Sequence, residues 1–126
     1  YRPVLHWKEK RVWAIIERFG VNPHPAYFLG FSRTSCMACI FLNADGFKTV
    51  SVLDPDRFER LARYEEEFGV TLKRNTSLRN LILSREVHKM EDVYIQAAMS
   101  ANFNLPILLS PGAWLTPAGA YKGGCG

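Results

Sequence analysis

The stretch NPHPAYFLGFSRTSCMACI, Asn22–Ile40, decides how the rest of the chain is read. Its apolar residues follow neither the 3.6-residue period of a helix nor the two-residue period of a strand, so no regular element is expected to span it. Pro23 and Pro25 restrain the backbone on both sides of His24, because proline fixes its own φ and pushes the preceding residue towards extended geometry. Gly30 supplies a hinge before Phe31. Polar groups at this density on a restrained, irregular backbone mark a segment that carries function. The candidate site residues are His24, Tyr27, Ser32, Arg33, Cys36 and Cys39.

The residue types narrow the chemistry. A guanidinium presents a planar fork of donors suited to phosphate or sulfate oxygens. A serine hydroxyl and the N–H groups of a turn can complete such a cradle. Cys36 and Cys39 form a C-x-x-C pair, which supplies two of the four thiolates of a zinc or iron–sulfur site. A nearby cation such as Arg33 favours the thiolate form. The third cysteine, Cys125, stands at the far end of the chain. An odd number of cysteines with this spacing does not read as a secreted disulfide framework, and a cytoplasmic metal or redox site fits better.

Charge points to the same end of the molecule. The net charge is +4, and Tyr1–Ile40 holds six cations against two acids, the whole of that excess. The first third is therefore the part expected to meet an anion. The excess is too dispersed to mark a duplex-DNA binder by itself. A chain of 126 residues with 48% hydrophobic and 22% charged residues reads as one globular domain. No apolar run approaches the roughly 18 residues of a membrane span.

Outward from the loop, the pattern is helical. Val12, Ile15, Ile16 and Phe19 fall on one face of a helix expected over Lys8–Phe19, Trp13 widens that face as a core residue, and Gly20 closes the helix. Asn43–Leu53 has two readings. Asp45-Gly46 signals a hairpin, whereas an Asn43 cap and the three-residue spacing of Ala44, Phe47 and Val50 signal a helix. Asp54-Pro55 is a strong helix start, and Gly69 a stop after Phe68. Glu65–Glu67 reads as a solvated charge run. Val70–Thr76 reads as a connector or short strand. Further helices are expected from Thr76 or Ser77 to Ser84 and from Met90 to Ala101, before an extended tail rich in proline and glycine.

Among known catalytic patterns, neither a glycine-rich phosphate loop nor a nucleophile elbow is present. The ordered set RPVLHWKEKRVW (Arg2–Trp13) and GVNPHPAYFLGFSRTSCMAC (Gly20–Cys39) resembles the C-terminal half of the phosphoadenosine-phosphosulfate reductase family, within the PP-loop, adenine-nucleotide α-hydrolase-like superfamily. Over Asp54–Gly69 the chain is similar to the following helix of less-characterised bacterial and phage members.

The resemblance implies a mainly α fragment of an α/β Rossmann-like fold, with an irregular cysteine-bearing loop and an extended tail. It implies a single unit over residues 1–126, without the upstream nucleotide-binding loop. The implied activity is reduction or transfer of the sulfo group of an adenosine sulfonucleotide, with a thioredoxin-like electron donor. His24, Tyr27, Ser32 and Arg33 would then bind substrate. Cys36, Cys39 and Cys125 would hold a 4Fe–4S cluster, or zinc.

The chain departs from the family pattern at its tail, where GGCG stands in place of a glutamate–cysteine–glycine sequence. Cys125 is thus either a different redox cysteine or a further metal ligand, and the catalytic nucleophile is unassigned. Two alternatives remain beside the reductase-like reading. One is an ATP-using PP-loop enzyme of DNA or RNA sulfur modification. The other is a metal-stapled module that contacts nucleic acid or protein.

Overall fold

The computed structural model describes residues 1–122, in which five α-helices follow one another: α1 (Glu9–Arg18), α2 (Ala44–Leu53), α3 (Pro55–Phe68), α4 (Leu78–Ile82) and α5 (Asp92–Met99). A 3-10 turn covers Pro25–Tyr27. The molecule is mostly helical. Strand pairing among the described residues is limited to the isolated bridges Val21–Leu108 and Lys73–Thr76. The connector before α4 is thus a tight turn rather than a strand. Cys125 lies outside the described residues.

Two side-chain caps explain where α2 and α3 begin. The Asn43 side chain accepts the Gly46 N–H at 2.9 Å, which resolves the helix-or-hairpin choice in favour of a helix. Asp54 accepts the Arg57 N–H at 3.0 Å, and Pro55 takes the first helical position. α3 ends where Gly69 adopts φ 64°, a left-handed conformation that costs glycine nothing. Inside α2, Gly46 is present for space. A Cβ there would overlap the side chain of Leu42, which is fully buried.

α2, α3 and α4 pack on one another, and the cysteine-bearing loop closes their core. Phe47 and Val50 of α2, Phe58 of α3 and Leu78 of α4 meet Leu29, Phe31, Cys39 and Leu42 from the loop. The irregular stretch is therefore a structural layer as well as a surface one. Glu65 corrects the reading of its charge run. It is buried, and it accepts the Leu72 N–H and the Leu78 N–H, both at 2.7 Å. One carboxylate thereby ties the connector and the start of α4 to α3.

α1 differs most from its expected packing. Trp13 is its buried residue, set edge-on to Tyr27 with ring centroids 5.0 Å apart. Val12 and Phe19 are exposed, at 38% and 65%. The apolar face expected from Val12, Ile15, Ile16 and Phe19 is thus only partly covered among the described residues. α4 and α5 are each shorter than the sequence pattern suggests.

The tail is extended as expected, but it returns to the loop. The Asn22 N–H donates to the Ile107 carbonyl at 2.8 Å, and the Leu109 N–H to the Gly20 carbonyl at 2.8 Å. Trp114 Nε1 donates to the Val21 carbonyl at 3.1 Å. The Gly119 N–H donates to the Tyr27 carbonyl at 2.8 Å. No helix among the described residues is long and apolar enough to cross a membrane.

Candidate functional site

The prolines of the loop set its first turn. Pro25 starts the 3-10 turn, and His24 caps it by accepting the Ala26 N–H on Nδ1 at 3.2 Å. That bond places the proton of the neutral ring on Nε2 and leaves Nε2 as its free edge. Gly30, at φ 89°, then reverses the chain so that Phe31 turns inward and Ser32–Cys36 runs along the surface.

His24, Arg33, Thr34 and Cys36 come together around a cleft of about 240 Å³. Leu29, Phe31, Met37, Leu53 and Met99 give it an apolar floor. Arg33 is held in place by the Phe41 ring, whose centroid lies 5.3 Å from the guanidinium carbon. Its Nε atom is buried without a hydrogen-bond partner among the described residues. A buried donor left unpaired carries a free-energy penalty of about 1–3 kcal/mol, which an acceptor brought within its reach would relieve.

The two thiols are unequal. Cys36 is exposed, whereas Cys39 is buried against the core. The Phe41 backbone N–H draws the Cys39 thiol below its ordinary value, against the opposing effect of desolvation. Hydrogen bonds from Cys36 and Ser35 and the charge of Arg33 act in the same direction as Phe41. Cys36 is pushed up, first by its hydrogen bond to Cys39 and then by desolvation. Of the two sulfurs, Cys39 is thus the one that loses its proton more readily, with the Cys36 thiol as the hydrogen-bond donor to it.

Not every candidate reaches the cleft. Tyr27 is turned to Trp13, its carbonyl accepts the Gly30 and Gly119 N–H groups, and it does not line this cleft. Ser32 is half-buried and does not line the cleft. Phe41, Met37 and Met99 were not singled out from the sequence. Cation–aromatic pairing of Phe41 with Arg33 had no sequence signal beyond the two residue types, and Met99 arrives from α5.

Cys36 and Cys39 are suited to a soft metal or a cluster by ligand type, but they make two of the four positions. Among the described residues no group of three or more His, Cys, Asp or Glu side chains converges on one point. A complete metal centre thus needs ligands from elsewhere, and Cys125 lies outside the described residues.

Over 77 residues, 61% of the chain, the sequence is 32% identical to an "uncharacterized 37.8 kDa protein in gpa 5′ region" of Escherichia phage 186, of which the match spans 23%. No family model matches the chain, and no solved structure matches it.

Proposed function

We propose that this chain forms the anion-recognising wall of a sulfonucleotide-reductase-like site on a Rossmann-like, adenine-nucleotide α-hydrolase-like fold. The observation that carries the reading is the unpartnered Arg33 Nε beside a cleft shared with His24 and Cys36. An anion there gains a guanidinium donor already freed from water. The floor of Leu29, Phe31 and Met99 suits the less polar part of the same ligand. At about 240 Å³ the cleft is smaller than the roughly 300–1,000 Å³ of whole-ligand pockets, so it fits the sulfo or phosphoryl end of a nucleotide.

In this reading Cys36 and Cys39 hold one side of a 4Fe–4S centre, with Cys125 as a further ligand. Such a centre would be held on this side by the two thiolates and would supply redox and polarisable iron–sulfur chemistry to the site. The test is binding of adenosine phosphosulfate by calorimetry. Arg33→Ala is expected to weaken it by about tenfold or more, the loss of one charge-assisted contact, with the melting temperature nearly unchanged. Equal binding by the two proteins removes Arg33 from the site.

The exposed α1 favours a second reading, a metal-stapled interaction module. Lys10, Arg11 and Arg18 are exposed on it beside Val12 and Phe19. Metal content separates the two readings. Anaerobically purified protein is expected to be brown and to hold iron and sulfide. Colourless protein with one zinc favours the module and refutes the cluster.

A further inference from the structure

Behind the Arg33 cleft, across the segment Leu29–Phe31, the chain forms a wider cleft of about 390 Å³. Leu29 and Phe31 line the first cleft, and Gly30 between them lines the second. The second is chiefly polar. Arg85, His88 and Lys89 come from the connector between α4 and α5, Lys122 from the returning tail and Thr49 from α2. Asp45 and Glu86 are the acids of its lining.

The charges do not cancel. Asp45 is engaged by Arg85 at 3.5 Å. Lys89 and Lys122 form no ion pair among the described residues. With Arg85 and Asp45 paired, Lys89 and Lys122 face Glu86, an excess of one positive charge. The floor is firm, because the Thr49 hydroxyl lies 3.1 Å from the Asp45 carbonyl and 3.4 Å from the Leu29 carbonyl. Gly30 keeps the wall thin: a Cβ there would stand 3.6 Å from His88 Cβ, at a φ of +89° that strains any side chain.

We infer that this polar cleft binds the phosphate group of a small molecule, at a site separate from the Arg33 cleft. Lysine ammonium groups on flexible stems are compact charges that can converge on phosphate oxygens without fixed geometry. The Ser84 hydroxyl and the His88 ring stand beside them as further donors. The volume falls within the range of whole-ligand pockets. The excess of positive charge favours an anion over a neutral polar ligand.

The test is titration of the full-length, 15N-labelled protein with inorganic phosphate, followed through backbone amide shifts. Saturable shifts at Gly30, Thr49 and residues 84–89 are expected. The double substitution Lys89→Gln, Lys122→Gln is expected to raise the Kd by about tenfold or more, and Arg33→Ala to leave it unchanged. Both lysines are exposed, so the double variant should keep its melting temperature. Shifts confined to Arg33, Thr34 and Cys36, shifts that never saturate, or an unaltered Kd in the double variant overturn the site. A parallel titration with adenosine monophosphate separates two sources of the same chemistry. Tighter binding than phosphate identifies a nucleotide, and equal or weaker binding identifies free phosphate. Arg33→Ala tests the first cleft alone, so failure of one reading is distinguishable from failure of the other.

Discussion

Glu65 and Arg33 are the two residues whose surroundings depart most from what their types suggest. Glu65 accepts two backbone N–H groups, from Leu72 and Leu78, and its removal strands both. Glu65→Ala is therefore expected to lower the free energy of unfolding by about 2–4 kcal/mol in urea denaturation, since buried donors lose their partner. Glu66→Ala, on the exposed neighbour, serves as the control. A loss no larger than that of the control would show that the carboxylate is dispensable. A signal for this burial was present in the sequence: Glu65 stands three residues after Ala62 and seven after Phe58, on the inward face of α3. The adjacent Glu66 and Glu67 concealed it by making the three look like one solvated run. For Arg33, residue type suggested an anion contact. Its unpartnered Nε and its place over Phe41 needed the folded chain, because neither follows from neighbours in sequence.

At the scale of the element, helix ends were easier to read than helix faces. Asn43, Asp54 and Gly69 act locally, each through bonds or dihedrals within a few residues, so residue type nearly determines the outcome. The face of α1 depends on what lies opposite: of the residues its pattern put there, Trp13 is buried as expected while Val12 and Phe19 stay exposed. The α3 cap also sets a pH response. The Arg57 side chain, then its N–H, holds the Asp54 carboxyl below its ordinary 3.8. A lowered folded value means that the cap stabilises fully above the unfolded value and loses its effect as pH falls through the folded one. Thermal unfolding followed by circular dichroism between roughly pH 2 and 6 should show stability declining on the acid side below about pH 4. An Asp54→Asn variant is expected to have a flatter profile there. Parallel profiles for the two proteins would remove Asp54 from the acid response.

Across the whole molecule, the local helical unit and the long-range clasp obey different rules. α2, α3 and α4 are sequence neighbours that pack together, and their apolar patterns made them legible. The return of the tail to the loop was not, since backbone bonds such as Asn22 to Ile107 carry no residue-type signature. Gly119 offers the sharpest test of this clasp, because a Cβ there would overlap the Phe31 carbonyl. Overpacking against backbone costs about 1–3 kcal/mol, so Gly119→Ala should speed amide exchange over Val21–Phe31 by about tenfold or more. α2 and α3 should keep their protection, and uniform acceleration throughout would refute a separable clasp. The clasp also has a place in time. Its side-chain bonds join residues 84 and 93 positions apart. At a synthesis rate of about 5–20 residues per second, the loop waits roughly 5–20 s for its partner after emerging from the ribosome. Until then the Gly20, Val21 and Tyr27 carbonyls are without the donors that the tail supplies, and the local helical unit has to hold the loop chiefly by its apolar side chains.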